Sequence, residues 1–148
     1  MKLTLHADYA LRVLLYLRVA PERRGTVTAI ASAHNVSRNH IDKVVQRMVG
    51  AGFIRTARGR GGGVRLEREP STITVGAVIR AMEDDLAIVE CLGHARFCRV
   101  AGVCGARNVF ARALEAYFEV LDTATLDDIA SNADGLRGAL KLIHGGRA

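Results

Sequence analysis

Three cysteines are the residues of this 148-residue chain whose type and spacing indicate chemistry. Cys91, Cys98 and Cys104 follow the pattern Cys-x6-Cys-x5-Cys. Three thiols cannot all pair within one chain, so disulfides do not explain their grouping. Buried small hydrophobic side chains, a thiol redox switch, a structural zinc site and an iron–sulfur cluster remain open. The Cys-x2-Cys knuckle that is usual in zinc sites is absent, and the loose spacing favours a larger iron–sulfur cluster bound by three thiolates.

The residues around the cysteines are consistent with a cluster. Arg96, Arg99 and Arg107 would offset the negative charge that thiolates bring to it. His94 is a further candidate ligand in the same loop, although a lone loop histidine is more often solvated. No local pairing of a nucleophile with a histidine or carboxylate base is evident, so we do not expect an enzyme.

The positive charge of the chain is concentrated in its first half. Residues 1–68 contain 13 Lys or Arg and 4 Asp or Glu, whereas residues 69–148 contain 8 and 11. A basic segment is typical of proteins that bind the phosphate backbone of nucleic acid. No apolar stretch reaches the roughly 18 residues of a membrane span, and the start of the chain does not resemble a signal peptide. We therefore expect a cytoplasmic protein without a membrane partner, whose thiols stay reduced.

The elements that must position these residues begin with a predicted helix–turn–helix. Residues 4–20 form a strongly apolar helix that should be buried. Thr28 is predicted to cap a short helix that ends near residue 34, and Ser37 to cap a second helix over residues 38–49. The second helix has an apolar stripe with helical spacing, formed by Ile41, Val44, Val45, Met48 and Val49. Its outer face is basic and rich in amides, with Arg38, Asn39, His40, Lys43, Gln46 and Arg47.

A predicted β-hairpin follows directly. Residues 53–56 and 63–66 read as short strands around a glycine-rich tip, and a hairpin in this place is the wing of a winged helix. Arginine pairs with guanine and asparagine with adenine in the major groove, while wing arginines contact phosphates or the minor groove. The predicted DNA-binding residues are Thr28, Ser37, Arg38, Asn39, His40, Lys43, Arg47, Arg58, Arg60 and Arg65.

The second half is predicted to carry the cysteines and a dimer contact. Thr74 caps a helix over about residues 75–83, which ends in an acidic run, Glu83-Asp84-Asp85, interpreted as a solvated helix end. Residues 84–104 look irregular, and a long helix over about 106–121 has apolar residues on more than one face, enough for its own domain and a partner chain. The expected fold is mainly α: a winged helix–turn–helix DNA-binding domain (1–72), then a cysteine-containing cluster loop and dimerisation helices (73–148).

Several of these motifs, in order, resemble a known family of bacterial regulators. They are Met1-Lys2-Leu3-Thr4, Asp8-Tyr9-Ala10-Leu11-Arg12, Ser37-Arg38-Asn39-His40, Gly59 to Gly63 with Val64-Arg65-Leu66, and the three cysteines. The chain is identified as a member of the iron–sulfur winged-helix transcription regulators over about residues 1–130. Its helix start at Ser37 is most similar to that of the nitric-oxide-sensing repressors. Cluster-biogenesis regulators of the family carry a histidine where this chain has Arg107, and the six-residue first gap departs from the commoner five.

The resemblance implies a homodimeric repressor that binds an inverted-repeat operator in double-stranded DNA. It implies one [4Fe-4S] cluster per subunit, held by Cys91, Cys98 and Cys104, with nitric oxide as the signal. It further implies that Asp8 is the fourth ligand, supplied from the partner subunit. Without the resemblance, Asp8 is a first-turn carboxylate stabilised by the helix dipole, and His94, a small molecule or an open iron site are alternatives. A sensor of redox or iron–sulfur status and a cluster-handling redox protein without DNA binding are the alternative functions.

Overall fold

The computed structural model describes residues 3–57, 59, 62–93, 98–100 and 102–142, and this part is mainly helical. Its helices are α1 (Leu5–Val19), α2 (Val27–Ala33), α3 (Arg38–Gly50), α4 (Val75–Met82), α5 (Glu90–Gly93), α6 (Gly105–Thr123), α7 (Leu126–Ile129) and α8 (Ala133–Ala139). Its strands are β1 (Arg24–Gly25), β2 (Ile54–Ala57) and β3 (Gly63–Leu66). Among the described residues, no helix is long and apolar enough to cross a membrane.

Helix α1 lies at the centre of the core, as its apolar sequence predicts. Thr4 begins the helix, because its hydroxyl oxygen accepts a hydrogen bond from the Ala7 backbone N–H at 3.3 Å. Side chains from successive turns are completely buried, namely Ala7, Ala10, Val13, Leu14 and Leu17. Helices α3, α4, α7 and α8 and strand β3 all contact α1, so it is the common support of the fold.

The helix–turn–helix is present, but its first cap differs from the prediction. Thr26, not Thr28, precedes α2: its backbone is extended and its hydroxyl oxygen accepts from Ala29 N–H at 3.1 Å. Thr28 lies exposed in the first turn of α2. Two threonines lie two residues apart, and only the backbone conformation decides which of them caps the helix. Ser37 caps α3 as predicted and accepts from His40 N–H at 3.3 Å.

The wing is a three-stranded antiparallel sheet in the order β1–β3–β2. The predicted hairpin is confirmed, although β2 begins at Ile54 and the buried Phe53 precedes it. Strand β1 was not predicted, because its two residues are too short for an apolar alternation. It pairs with β3 through Gly25 opposite Val64. The sheet is therefore joined to the end of α1.

The second half of the chain shares the main core with the first. Ile73, Val78, Met82, Leu126 and Leu140 are all buried in the same cluster as α1. The division into parts 1–72 and 73–148 thus stays a prediction about function. Two elements also differ from the expected pattern, because residues 84–104 include the short helix α5 and the tail includes α8.

Helix α6 packs against α4 through a small apolar contact. Phe118 is its one buried residue in the described chain, and it packs against Val75 and Ile79 of α4. Arg80 of α4 donates to both carboxylate oxygens of Asp122, at 2.5 and 2.8 Å, and its guanidinium lies 4.0 Å from the Phe118 ring centre. The hydrogen bonds from Arg80 hold the pKa of Asp122 below its usual range.

We expect Gly63→Ala to destabilise the protein. Gly63 has φ +141°, and a Cβ there would lie 2.6 Å from the carbonyl oxygen of Gly25. Alanine would strain the backbone and push β3 from β1, lowering the free energy of unfolding by about 1–3 kcal/mol in urea denaturation. Gly50→Ala is the control, because a Cβ at Gly50 meets nothing within 4 Å. Equal stabilities for the two variants would contradict the β1–β3 pairing.

Candidate DNA-binding face and cysteine segment

Helix α3 presents the predicted DNA-reading face to solvent. Ile41, Val44, Val45 and Met48 are buried beneath it, so the opposite side of the helix must face outward. The exposed residues of that side are Arg38, Asn39, His40, Lys43 and Gln46. Arg38 is held by Asp42 at 3.5 Å, one turn away. The His40 ring lies 6.0 Å from that of Tyr9 in α1, and the side chains at the start of α3 are exposed despite these contacts.

The wing sheet carries a row of arginines, of which sequence analysis recognised one. Arg65 of β3 lies directly opposite Arg24 of β1 and Arg55 of β2, so the three side chains share a face of the sheet. Glu22 pairs with Arg24 at 3.0 Å and Glu67 pairs with Arg55 at 3.1 Å. Arg65 forms no ion pair with a residue in the described chain, which leaves the central cation for a phosphate. Strand β1, once recognised, is the signal that would have found Arg24.

The predicted wing-tip contacts Arg58 and Arg60 lie outside the described residues, as do His94 and Arg96 of the cysteine loop. The exposed Thr28 lies in the first turn of α2, at the end of that helix away from Ser37.

The three cysteines lie on the segment that leads into α6. Cys91 is in α5, and Cys104 is the residue that precedes α6. All three are free and half-buried. The Cys104 side chain makes no capping hydrogen bond to the start of α6.

Arg107 joins the two ends of the segment. Its Nε donates to the backbone carbonyl oxygen of Cys91 at 3.2 Å, from the first turn of α6. This bond links the first cysteine to the helix that follows the last one. Arg107 thus has a structural role beside the charge compensation expected from sequence.

The three free thiols are a donor set whose chemistry suits an iron–sulfur cluster. Free thiols are the usual cluster ligands. Among the described residues, no three His, Cys, Asp or Glu side chains are close enough together to bind a metal ion. Asp8, the predicted fourth ligand, is in the first turn of α1 and pairs with Arg12 at 2.8 Å. Both side chains are 42% exposed, so Asp8 is accessible from outside its own chain.

The acidic run Glu83-Asp84-Asp85 is largely solvated, as predicted, with the Asp84 side chain 90% exposed, and it is also a junction that contacts other elements. Glu83 accepts a hydrogen bond from Thr4 N–H at 2.8 Å, which holds the start of α1. Asp84 accepts from Arg47 of α3 at 2.8 Å. Asp85 accepts from Ala87 N–H at 2.8 Å and shapes the chain toward α5. The partners of Glu83 and Asp84 are distant in sequence, so no local pattern could reveal them.

The sequence pattern of the Rrf2 family, described as iron-dependent transcriptional regulators, matches residues 3–132. This range contains the winged helix, the acidic junction and the cysteine segment. The chain belongs to the Rrf2 family. The resemblance to iron–sulfur winged-helix regulators that the motifs indicated is thereby confirmed.

Two relatives of this Rrf2 protein have the names of transcriptional regulators and not of enzymes. The HTH-type transcriptional regulator NsrR of Bacillus subtilis (strain 168) is 43% identical over 146 residues, covering 96% of this chain and 99% of that protein. NsrR of Halalkalibacterium halodurans is 42% identical over 144 residues, covering 96% and 99%. A redox protein without DNA binding has no support among these relatives.

Solved structures show that the Rrf2 fold serves different regulators. The structure of CymR (YrzC), the global cysteine regulator of B. subtilis, has a TM-score of 0.73 and 31% identity, covering 89% of this chain and 98% of that one. T. potens IscR has a TM-score of 0.69 at 24% identity, covering 90% and 88%, and shows the fold alone. The winged-helix prediction is confirmed by these neighbours.

His34 links the helix–turn–helix of this Rrf2 protein to α1. Its Nε2 lies 3.0 Å from the backbone carbonyl oxygen of Arg12, and its ring is 6.5 Å from that of Tyr16. Burial lowers the pKa of His34 below its usual range, although the hydrogen bond to Arg12 acts in the opposite direction. The unfolded chain therefore binds this proton more readily than the folded chain.

We expect His34 to make stability depend on pH. Because the folded pKa is depressed, its contribution is complete at high pH and decreases as the pH falls through the usual histidine pKa of about 6.5 toward the lower folded pKa. His34→Gln keeps a donor for the Arg12 carbonyl but does not titrate, so its stability should vary less. Urea unfolding of both proteins across this range measures the difference. An identical pH dependence would contradict the assignment.

Proposed function

We propose that this Rrf2 protein is a cytoplasmic, homodimeric repressor that binds an inverted-repeat operator and senses nitric oxide through one [4Fe-4S] cluster per subunit. The observation that carries the proposal is a segment with three free cysteines that begins at a junction with the DNA-binding helices. The relatives named NsrR bear the name of the nitric-oxide-sensing repressors that the motifs resemble.

DNA reading is assigned to the start of α3. The N-terminal end of a recognition helix enters the major groove first, and Arg38 and Asn39 are exposed there. Ser37, His40 and Lys43 extend the same face, and Thr28 in the first turn of α2 is a further proposed contact. In the wing, Arg58, Arg60 and Arg65 are the proposed backbone contacts, and the sheet register adds Arg24 and Arg55.

Dimerisation is assigned to α6. Of its 19 residues, Phe118 alone is buried in the described chain, whereas Val109 and Val120 are 63% and 68% exposed. A helix with apolar residues on the side away from its own core needs a partner surface. A twofold pairing of α6 with its copy would cover these side chains and place two α3 helices for successive major grooves.

Cys91, Cys98 and Cys104 would hold the cluster, and Asp8 of the partner subunit would complete it. When bound, the cluster supplies iron sites with which nitric oxide reacts. Arg107 would hold the two outer cysteines of the segment in register through its bond to the Cys91 carbonyl. To act as a ligand, Asp8 would have to give up its ion pair with Arg12. His94 or a small molecule is the alternative fourth ligand.

A second candidate is a sensor of redox or iron–sulfur status in the same family. It is favoured by the match to CymR, the global cysteine regulator of B. subtilis, at 31% identity over most of both chains. Three free thiols suit a redox sensor as well as a cluster. Titration of the anaerobic protein with nitric oxide, superoxide and chelators separates the two candidates.

Arg38→Ala is expected to weaken specific operator binding by about 1–3 kcal/mol, because it removes a base contact. Arg60→Ala should weaken binding to all sequences more evenly and reduce the salt slope. Gel shifts at several salt concentrations measure both. Lys141→Ala, which removes an exposed cation after α8, is the control. Wild-type binding by both arginine variants would make the helix and wing assignment wrong.

Replacing any of Cys91, Cys98 or Cys104 by Ala should abolish stable cluster binding, measured by anaerobic visible absorption and by iron and sulfide counts. Asp8→Ala should keep the thiolate-bound cluster but change its spectrum and its coupling to DNA. Asp134→Ala is the matched control, because Asp134 is also a first-turn aspartate paired with an arginine on its own helix.

Nitric oxide should bleach the wild-type cluster and lower operator affinity together. An operator affinity that is unchanged after complete nitrosylation contradicts the sensing proposal. Tight binding of one zinc ion per chain, with no iron uptake in anaerobic reconstitution, contradicts the cluster itself.

A further inference from the structure

Arg47 of α3 differs from its neighbours on the predicted DNA-reading face. Lys43 and Gln46 are exposed, whereas the Arg47 side chain is 35% exposed and turned onto α4. Its Nε donates to the backbone carbonyl oxygen of Ala81 at 2.8 Å, and its Nη2 donates to Asp84 Oδ1 at 2.8 Å. The guanidinium thus donates two hydrogen bonds to acceptors in the same chain.

The two acceptors suit an arginine for physical reasons. Ala81 is in the last turn of α4, where backbone carbonyls lack partners within the helix and the dipole favours a cation. Asp84 follows two residues after the end of α4 and adds a carboxylate. A planar guanidinium with two fixed N–H directions determines its own orientation, which a flexible ammonium does not. The contact therefore sets the angle of the last turn of α3 against α4.

This contact belongs to the junction from which the cysteine segment starts. Glu83, next to Asp84, holds the start of α1 through Thr4 N–H. Cys91 follows only seven residues after Asp84. A displacement of the segment that carries Cys91 would therefore move Asp84, which accepts a hydrogen bond from Arg47 of α3.

We infer that Arg47 is a positioning residue and not a DNA ligand: it couples the end of the recognition helix to the base of the cysteine segment through Ala81 and Asp84. The inference rests on the proposed function in one respect, that α3 reads DNA. It replaces the sequence-based assignment of Arg47 to the DNA contacts.

Asp84→Ala distinguishes the two roles by the sign of its effect. If Arg47 bound phosphate, its release from Asp84 would strengthen DNA binding. As a positioning residue, Arg47 keeps only its bond to the Ala81 carbonyl, and specific operator affinity should fall about two- to fivefold relative to Asp85→Ala. Asp85→Ala is the matched control, because it removes the same charge one residue away and one local bond, to Ala87 N–H, and leaves both bonds of Arg47 intact. All proteins are compared as cluster-loaded dimers with equal iron counts.

Arg47 variants give a second test. Arg47→Gln should weaken specific binding with an unchanged salt slope on non-specific DNA, and Arg47→Lys should not restore it, because a point charge cannot make the two bonds. The double variant Arg47→Gln/Asp84→Ala should bind no more weakly than Arg47→Gln alone. Restoration by lysine, a salt slope reduced by about one, or tighter binding by Asp84→Ala than by Asp85→Ala would overturn the inference.

A measurement without DNA separates this inference from the proposed function. Hydrogen exchange of the Ala51 and Gly52 amides, which bond to Arg47 and Val49 carbonyls, should be faster in Asp84→Ala than in Asp85→Ala. Equal exchange rates would overturn the positioning contact even if the wild type binds its operator. Faster exchange in a protein whose wild type shows no specific DNA binding would keep the contact and reject the repressor.

Discussion

The burial of α1 is the constraint on which the rest of the structure depends. Its completely buried residues recur every three or four positions along one face, and the nearly buried Tyr16 and Val19 widen that face, so α1 needs several neighbours. Helix α3 covers one side, α4 another, and α7 and α8 close the far end. The DNA-reading helix and the helix that precedes the cysteine segment therefore pack on the same support. Neither can shift without changing its contact with α1, which makes them mechanically neighbouring parts despite their separation in sequence.

Polar contacts between side chains fix how the packed helices are oriented relative to one another. Apolar surfaces alone leave helices free to slide, because hydrophobic burial is non-directional. Arg47 and Arg80 supply direction, the first between α3 and the acidic junction, the second between α4 and α6. Both arginines are joined to α4 or its C-terminal end. Helix α4 is thus the shared element between the part that would read DNA and the part that would pair with a second copy.

Sequence analysis succeeded where information is local. Ser37 and Thr74 cap their helices, and the apolar spacing of Ile41, Val44 and Met48 defines the inner face of α3. It did not identify Thr26 as the cap of α2, because Thr28 is an equally suitable residue two positions later. It also missed β1, because a strand of two residues is too short to show an alternating pattern. The solvation of the acidic junction was predicted, but its contacts were not, because its partners, Thr4 and Arg47, are 79 and 37 residues away. Ligation by the cysteines and Asp8 remains a prediction, since a site shared between subunits cannot be read from one chain.

The arginine row of the wing has a consequence for how such a protein would move along DNA. Like charges placed side by side repel, and Glu22 and Glu67 offset two of the three. These glutamates, which lie at the outer edges of the row, set how much unneutralised cation the wing offers to a phosphate chain. Replacing either glutamate by a neutral residue would lengthen the time that the protein stays bound to non-specific DNA, because non-specific attraction is electrostatic. Glu22 and Glu67 would thus influence the balance between sliding along DNA and release from it, although neither would contact a base.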